Sequence, residues 1–236
     1  MMRKDNSYIA VIIAALDEEE GIGLTLRELR DVLGNPFLLV VDGNSTDGTV
    51  KISKALEVEV MLQNGRGKGL AVAQALEHIN SDINYIVFID ADYTYPAEYI
   101  PKMIETLEKN PDFGMVIGNR FDKAFDFGKA INDTFYFGNR ILAFAQHVLN
   151  GVKLCDPLSG LRVVRCSLLK GWRPKSSSFD VEAELNFYVE KMGYLIKEIP
   201  IQYRPRLGEK KLKLRHGLTI LRRILIESLS DKLLGA

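Results

Sequence analysis

The chain has 236 residues, and its 31 lysines and arginines balance 31 aspartates and glutamates, so the formal net charge is zero. Hydrophobic residues make up 47% and charged residues 26% of the sequence, a globular composition that excludes disordered, collagen-like and mucin-like chains. The longest uncharged run covers residues 141–152 and is shorter than the roughly 20 residues of a membrane-spanning helix. Two cysteines are too few for a disulfide framework in a domain of this size, so a cytosolic protein with reduced thiols is expected.

The first half of the chain alternates short apolar runs, rich in β-branched residues, with segments of helical spacing. Predicted strands cover residues 8–16, 37–41, 58–62, 85–89 and 113–117, and predicted helices cover 22–33, 46–56, 70–78 and 96–109. Ser45 or Thr46 is placed to cap the second helix, and Pro96 suits the first turn of the fourth. This alternation indicates βαβ units, a mostly parallel sheet and right-handed crossovers.

The second half is less regular. Its predicted elements are helices over 134–149 and 179–192, strands over 161–165 and 195–201, and a final amphipathic helix over 214–234. We therefore expect an α/β domain over residues 1–212, followed by a C-terminal amphipathic helix within residues 213–236.

Acidic residues follow three of the predicted strands. They are Asp17, Glu18 and Glu19 after the first strand, Asp42 after the second, and Asp90 and Asp92 after the fourth. Ligands of open α/β sheets bind where the carboxyl ends of the strands meet, and so many carboxylates there would repel one another unless a cation or hydrogen-bond donors lay between them. Mg²⁺ and Mn²⁺ prefer oxygen ligands that substrate phosphates often complete, so the sequence predicts a metal-bound nucleoside diphosphate at this edge.

Residues 65–69 read Gly-Arg-Gly-Lys-Gly and open a predicted helix. Backbone N–H groups of such a loop can cradle a phosphate, with Lys68 beside it. A mobile glycine-rich turn is an equally open interpretation of the same residues.

Several stretches of the chain together resemble the family 2 glycosyltransferases, which have a GT-A fold, an α/β architecture with a Rossmann-like, mostly parallel sheet flanked by helices. The stretches occur in family order at residues 13–19, 40–49, 65–69, 90–96, 118–120, 156–162 and 203–212. Within the family, the chain is most similar to the dolichyl- or polyprenyl-phosphate sugar synthases.

The resemblance implies a role for each matching residue. The base and ribose of a nucleotide sugar would be held by Ala14, Leu16, Asp17, Glu19 and Asp42. Asp90 and Asp92, with Ala91 between them, would organise Mg²⁺ or Mn²⁺ on the diphosphate, and Arg120, Arg206 and Lys211 would contact phosphates of donor or acceptor. Thr94 stands where the subgroup often has Gln, and Lys210 where it has Ser.

The implied reaction is an inverting transfer of a sugar from the nucleotide to polyprenyl (dolichyl) phosphate, with Asp92, Arg120 and Asp156 as candidate catalytic residues. A UDP-sugar donor is favoured over GDP-mannose. Asp156 is open between a general base, an acceptor-orienting residue and a structural turn. One alternative function is transfer to a saccharide hydroxyl with Asp156 as base, and another is a non-catalytic scaffold that binds nucleotide sugars.

The C-terminal part of the chain is basic. From residue 204 onward nine basic residues face three acidic ones, a net charge of +6 that the rest of the chain offsets. Leu218, Leu221, Leu225 and Leu229 form one helical stripe behind this basic cluster, a pattern of helices that lie on anionic membranes. Packing on the domain and a dimer contact remain alternatives. We expect a cytoplasmic protein, peripheral on the cytosolic membrane face, without a nucleic-acid partner.

Two further segments are ambiguous from the sequence. The aromatic stretch over residues 135–144 suits the core by default, although it could meet a polyprenyl chain. Glu182 could bind a sugar hydroxyl or pair with an inner arginine such as Arg162.

Overall fold

The computed structural model describes residues 8–80, 82–121 and 126–234. Within them, seven strands form one sheet in the order β3-β2-β1-β4-β6-β5-β7. The strands are β1 (Ile9–Ala15), β2 (Phe37–Asp42), β3 (Glu59–Leu62), β4 (Tyr85–Asp90), β5 (Phe113–Asn119), β6 (Arg162–Arg165) and β7 (Leu195–Pro200). The sheet is parallel except for β6, which runs antiparallel to both of its neighbours. The expected mostly parallel sheet is thereby confirmed.

Helices cover both faces of the sheet. They are α1 (Glu19–Leu33), α2 (Thr49–Ala55), α3 (Lys68–His78), α4 (Ile100–Lys109), α5 (Phe127–Asn132), α6 (Thr134–Asn150), α7 (Cys166–Leu169), α8 (Val181–Lys191) and α9 (Arg215–Leu234). Apolar residues of α1 and α4 fill the core on one face, and those of α3 and α8 fill it on the other. The inner strands β1, β2, β4 and β5 are buried on both sides, which explains their continuous apolar runs.

The register of the central strands brings the acidic strand ends together. Ala14 on β1 pairs with Asp90 on β4, and the next residue, Ala15, pairs with Asp42 on β2. Both carboxylates therefore flank the carboxyl end of β1, as the sequence predicted.

The reversed direction of β6 adds a third segment to this edge. Because β6 runs opposite to β4 and β5, it is the amino end of β6, and the loop over residues 156–161 before it, that lies beside the carboxyl ends of its neighbours. The residues that follow β5 and β7 reach the same edge, since these two strands are parallel.

Two local predictions were wrong. Neither Ser45 nor Thr46 caps α2, which begins after Gly48 without a side-chain cap, because the Ser45 hydroxyl donates to Asp42 instead. Pro96 lies before α4, in extended backbone preceding a single 3-10 turn, and Pro101 occupies the first turn of that helix.

The C-terminal helix packs on the domain. Ile220 and Ile224 of α9 form a small cluster with Leu142 of α6 and Ala183 of α8. Among the described residues, no helix is both long and apolar enough to cross a membrane. The division of the chain between residues 212 and 213 stays a prediction.

Candidate active site at the carboxyl edge of the sheet

The loops after β1 and β2 are joined by hydrogen bonds that carboxylates accept. The buried Asp42 accepts from the backbone N–H of Ser45 (2.9 Å) and from its hydroxyl (2.5 Å), while that hydroxyl oxygen accepts the Asp17 N–H (2.9 Å). Asp17 accepts the Thr46 N–H at 2.7 Å, and Glu19 accepts the Gly48 N–H at 2.7 Å. These contacts fix the shape of the cleft where the sequence places the base and ribose, and Leu16 is exposed at its rim.

Backbone strain concentrates at the same edge. Asp17, Asn44 and Tyr93 have φ values of 48°, 66° and 63°, and each follows the end of β1, β2 or β4 within three residues. Non-glycine residues rarely adopt this conformation, and such residues cluster where a site requires a particular loop geometry.

Asp90, at the end of β4, forms an ion pair with Lys68. The Lys68 Nζ lies 2.6 Å from Asp90 Oδ1 and 2.7 Å from Glu182 Oε1. Burial alone would lower the pKa of Lys68, but the two carboxylates outweigh it and raise the pKa above its usual value. Burial likewise acts to raise the pKa of Asp90, yet the Lys68 ammonium lowers it overall. Glu182 therefore pairs with Lys68, a partner that the sequence did not indicate for it.

Asp92 is held by Thr94 and Arg206. Its Oδ1 accepts the Thr94 hydroxyl at 2.6 Å, and its Oδ2 pairs with Arg206 Nη1. The other terminal nitrogen of Arg206 pairs with Glu18, whose second carboxylate oxygen is buried without a hydrogen-bond partner. Burial is the main cause that raises the pKa of Glu18 to about 7, and burial followed by the Asp90 charge raises the pKa of Asp92. Thr94 thus orients Asp92.

Lys211 anchors the segment that carries Arg206. Its Nζ donates to the main-chain carbonyl of Asp17 at 3.1 Å, so the loop after β7 closes over the end of β1. Arg206 and Lys211 therefore both reach the carboxyl edge, and their contact with phosphates stays a prediction.

Asp156 and Arg120 form a second ion pair. Arg120 Nε lies 2.7 Å from Asp156 Oδ2, and Arg120 Nη2 lies 2.7 Å from Oδ1. The backbone N–H of Arg120 donates to Oδ2 as well. The side-chain amide of Asn139 on α6 donates to Oδ1 at 3.1 Å. Asp156 is fully buried, and both of its oxygens are engaged by this set of donors.

Aromatic rings and a second carboxylate surround this pair. The Arg120 guanidinium lies 6.0 Å from the centroid of the Tyr95 ring and 5.4 Å from that of Tyr203. The second carboxylate is that of Glu198, which accepts a hydrogen bond from the backbone N–H of Asp156 at 2.8 Å. The loop is further fixed by the buried Arg162, which donates to the carbonyl of Pro157 at 2.5 Å. Arg120 is therefore a rigidly placed cation at the edge of the sheet.

The glycines of residues 65–69 have a packing explanation. A Cβ on Gly67 would lie 2.1 Å from the carbonyl oxygen of Ser177, and a Cβ on Gly69 would lie 2.1 Å from that of Ser176. The backbone over 176–178 thus packs directly against this loop, which requires glycine there whether or not the loop also binds phosphate. Contact of Lys68 with a phosphate stays a prediction.

We expect Gly69→Ala to lower the free energy of unfolding by about 1–3 kcal/mol, because the new methyl overpacks a backbone contact. Gly138→Ala is the matched control, since Gly138 is also helical but has nothing within 4 Å of its Cβ position; it should raise the free energy of unfolding by about 0.5–1 kcal/mol. Urea denaturation measures both, and equal changes in the two variants would contradict the packing explanation.

The acidic residues fit a divalent cation that shares its ligands with a substrate. Within residues 8–80, 82–121 and 126–234, no three His, Cys, Asp or Glu side chains are arranged to enclose a metal. Asp90 and Asp92 offer the one or two carboxylates with which proteins hold Mg²⁺ beside phosphates. Two cations, Lys68 and Arg206, pair with four carboxylates, so carboxylates outnumber their ion-pair partners in this cluster.

Comparison with models of protein families shows which family the chain belongs to. The model of glycosyl transferase family 2 matches residues 10–172, more than half of the sequence. The chain belongs to glycosyl transferase family 2. This glycosyltransferase has its acidic strand ends, the Asp90–Asp92 pair and residues 156–162 within the matched region.

Two relatives cover most of the glycosyltransferase. The dolichyl-phosphate hexose transferase of Haloferax volcanii is 32% identical over 207 residues, which are 86% of each chain. The undecaprenyl-phosphate mannosyltransferase of Micrococcus luteus is 27% identical over 220 residues, covering 86% of this chain and 87% of that one.

A solved structure supports the fold. Glucosyl-3-phosphoglycerate synthase from Mycobacterium tuberculosis, crystallised with Mn²⁺, UDP-glucose and phosphoglyceric acid, superimposes with a TM-score of 0.71 at 22% identity. The match covers 94% of this glycosyltransferase and 78% of the synthase. Because the sequence identity is only 22%, this comparison shows a shared fold and nothing further.

The structure brings the predicted site residues to one edge of the sheet and adds others that the sequence did not identify as partners. The added residues are Glu18, Tyr95, Asn139, Glu182, Glu198 and Tyr203. Glu18 lies in the acidic stretch after β1, which the sequence already indicated as part of the site. Asn139 lies in an aromatic helix, and its polar side chain at a core-facing position was the available signal.

Proposed function

We propose that this glycosyltransferase moves a hexose from a nucleoside diphosphate sugar to a polyprenyl phosphate of the dolichyl type, with inversion at the anomeric carbon. Support comes from the two relatives, whose names specify dolichyl phosphate and undecaprenyl phosphate as acceptors. The enzyme would work as a peripheral protein on the cytosolic face of the membrane that holds its acceptor.

The observation that carries this proposal is the state of Asp156. Both of its oxygens are engaged by Arg120 at 2.7 Å, and the side chain is fully buried, so neither oxygen is open to contact a hydroxyl acceptor. A phosphate monoester needs no such base, because its second pKa is around 6 and it is largely ionised at neutral pH. The site therefore favours an anionic acceptor, for which Arg120 supplies a charge partner, over a saccharide hydroxyl.

The donor would lie at the ends of β1, β2 and β4. Asp17, Glu19 and Asp42 would surround the base and ribose with the backbone from Ala14 to Leu16, and the diphosphate would lie beside Ala91. Arg206, Lys68 and Lys211 would stabilise the phosphate charge, as positive groups do where negative charge develops on a leaving group. The acceptor oxygen forms its bond to the anomeric carbon while the nucleoside diphosphate leaves with the electrons of the broken bond.

Asp90 and Asp92 would hold Mg²⁺ or Mn²⁺, whose positive charge would offset the excess of carboxylates over basic side chains in the cluster. When bound, the metal would add Lewis-acid stabilisation of the leaving diphosphate. The solved synthase was crystallised with Mn²⁺ and UDP-glucose, which supports a divalent cation and a UDP-sugar here, with GDP-mannose as the other donor to test.

A panel of radiolabelled nucleotide sugars, incubated with dolichyl phosphate with and without Mn²⁺ and then extracted with organic solvent, tests the proposal. We expect one donor to label the lipid phase, and only with the metal. Label that appears instead on an added saccharide, with none in the lipid phase, would contradict it and favour a hydroxyl acceptor. Binding of nucleotide sugars without transfer to either acceptor would favour a scaffold.

A further inference from the structure

Glu198 is a carboxylate on the edge strand β7, on a face of the sheet that packs against an apolar core. Ile196, two residues earlier, packs against the core on the α3 and α8 side, while Ile199 packs against the core on the other side. Since alternate residues of a strand point to the same face, Glu198 points to the α3 and α8 side, where it is half-buried. A carboxylate loses hydration there and needs hydrogen-bond donors in exchange.

The donors to Glu198 come from the segment before β6. Glu198 Oε1 accepts the backbone N–H of Cys155 at 3.0 Å and that of Asp156 at 2.8 Å, and Oε2 accepts the Cys155 N–H at 2.9 Å. Two successive N–H groups that converge on one anion form charge-assisted hydrogen bonds, which are stronger than bonds between neutral groups. Burial is the main cause that raises the pKa of Glu198, and the same two N–H groups act against it. The carboxylate therefore holds the backbone of Cys155 and Asp156 directly.

This contact reaches across one strand of the sheet. Strand β5 lies between β6 and β7, so the segment before β6 is not beside β7 in the ladder, and the Glu198 side chain bridges the gap. Arg120 directly follows β5, whose last two residues pair with Ile199 and Pro200 of β7. Strand β7 thus fixes Arg120 through the ladder and Asp156 through Glu198.

We propose that Glu198 is a positioning residue for sugar transfer, which sets the place of the Arg120 guanidinium by holding the backbone of Asp156. Arg120 takes its orientation from the two Asp156 oxygens at 2.7 Å, so a shift of that backbone moves the cation with it. The inference rests on the proposed function in one respect, that Arg120 meets the anionic acceptor. The donor end of the site, at β1, β2 and β4, is held by other contacts, so the effect should fall on use of the acceptor.

Two substitutions, Glu198→Gln and Glu198→Asp, separate the reach of this side chain from its charge. Glutamine has the length of glutamate and keeps one carbonyl oxygen, which can take the place of Oε1 and accept both N–H groups. Aspartate keeps the charge and both oxygens but is one methylene shorter, so it cannot hold both N–H groups without movement of the backbone. Because burial disfavours a charge at this position, we expect the neutral glutamine to be tolerated.

Initial rates at varied polyprenyl phosphate and saturating donor test the proposal, together with hydrogen exchange of the Cys155 and Asp156 amides. We expect Glu198→Asp to exchange both amides faster and to lose at least about tenfold in kcat/KM for the acceptor, since misplacement of a catalytic group by about 1 Å can cost about a hundredfold. Glu198→Gln should keep both amides protected and lose no more than about threefold, because its hydrogen bonds are weaker but still made. The affinity for UDP with Mn²⁺ should be unchanged in both variants.

Glu190→Asp on α8 is the matched control, since Glu190 is also a half-buried glutamate. It should match the wild type in rates, amide exchange and UDP affinity. Thermal unfolding of all four proteins checks that they remain folded.

A larger loss in Glu198→Gln than in Glu198→Asp would overturn the proposal, because the charge and not the reach of the side chain would then matter. Unchanged kcat/KM in Glu198→Asp despite faster amide exchange would overturn it as well and leave Glu198 a structural role. So would an equal loss of UDP affinity, since the effect would not be confined to the acceptor. If the wild type transfers sugar to a saccharide hydroxyl and not to polyprenyl phosphate, the proposed function fails, and the same comparison with that saccharide as acceptor decides the positioning role separately.

Discussion

Asp92→Asn is expected to lower the rate of sugar transfer by about a thousandfold, the scale on which loss of one group that stabilises transition-state charge is felt. The substitution removes a buried carboxylate at the end of β4 and leaves the Arg206 guanidinium with Glu18 as its remaining carboxylate partner. It also removes a proposed metal ligand, so the part of nucleotide affinity that depends on Mn²⁺ should disappear. Initial rates at saturating donor and titration calorimetry with UDP, with and without Mn²⁺, measure both effects.

Asp31→Asn is the matched control for this prediction. Asp31 is an exposed aspartate on α1, and its replacement should leave rate and nucleotide affinity unchanged. Transfer by Asp92→Asn within tenfold of the wild type would show that Asp92 does not act in the reaction.

Asp156→Asn is expected to lower turnover severely while sparing nucleotide affinity. It should also cost about 3 kcal/mol in free energy of unfolding, because it leaves a largely buried guanidinium without its charge partner. If Asp156 acts by positioning Arg120, the double variant Asp156→Asn, Arg120→Gln should lose little more activity than the more damaging single variant. Its unfolding free energy should partly recover, since no unpaired charge is left.

Steady-state kinetics should show that these variants impair use of the acceptor and leave binding of the donor unaffected. We expect the single and double variants to raise KM for the polyprenyl phosphate or lower kcat, with the affinity for UDP and Mn²⁺ retained. The exposed Asp112→Asn serves as control and should behave as the wild type. Independent, additive losses would mean that Asp156 has a role of its own, such as a base, and unchanged turnover in Asp156→Asn would remove it from the site.

The parts of the site that lie at strand ends could be predicted from the sequence. Buried β-rich runs fix where strands end, and the parallel register then brings Asp42 and Asp90 to the same edge. The partners of these carboxylates could not be predicted, because they come from distant segments. Lys68 is 22 residues from Asp90 and Arg206 is 114 residues from Asp92, and no local pattern specifies which basic residue reaches which acid.

The surfaces of α6 and α9 show another limit. The aromatic stretch over residues 135–144 suited the core by default, yet Tyr136 is buried while Phe137 and Phe144 are exposed. On α9, the leucines at 218, 225 and 229 are exposed, and the helix packs through Ile220 and Ile224 instead. Each helix has apolar residues on opposite sides, so periodicity alone does not tell which side meets the protein.

The sharing of Lys68 and Arg206 between pairs of carboxylates has a consequence for how a substrate enters. A divalent cation held by Asp90 and Asp92 would compete with these two side chains for the same carboxylates. A diphosphate that accompanied the metal would offer the ammonium and the guanidinium new oxygens. Donor binding would then be an exchange of ionic partners, and its affinity would reflect the difference between two sets of ion pairs, so that neither metal nor nucleotide binds well without the other.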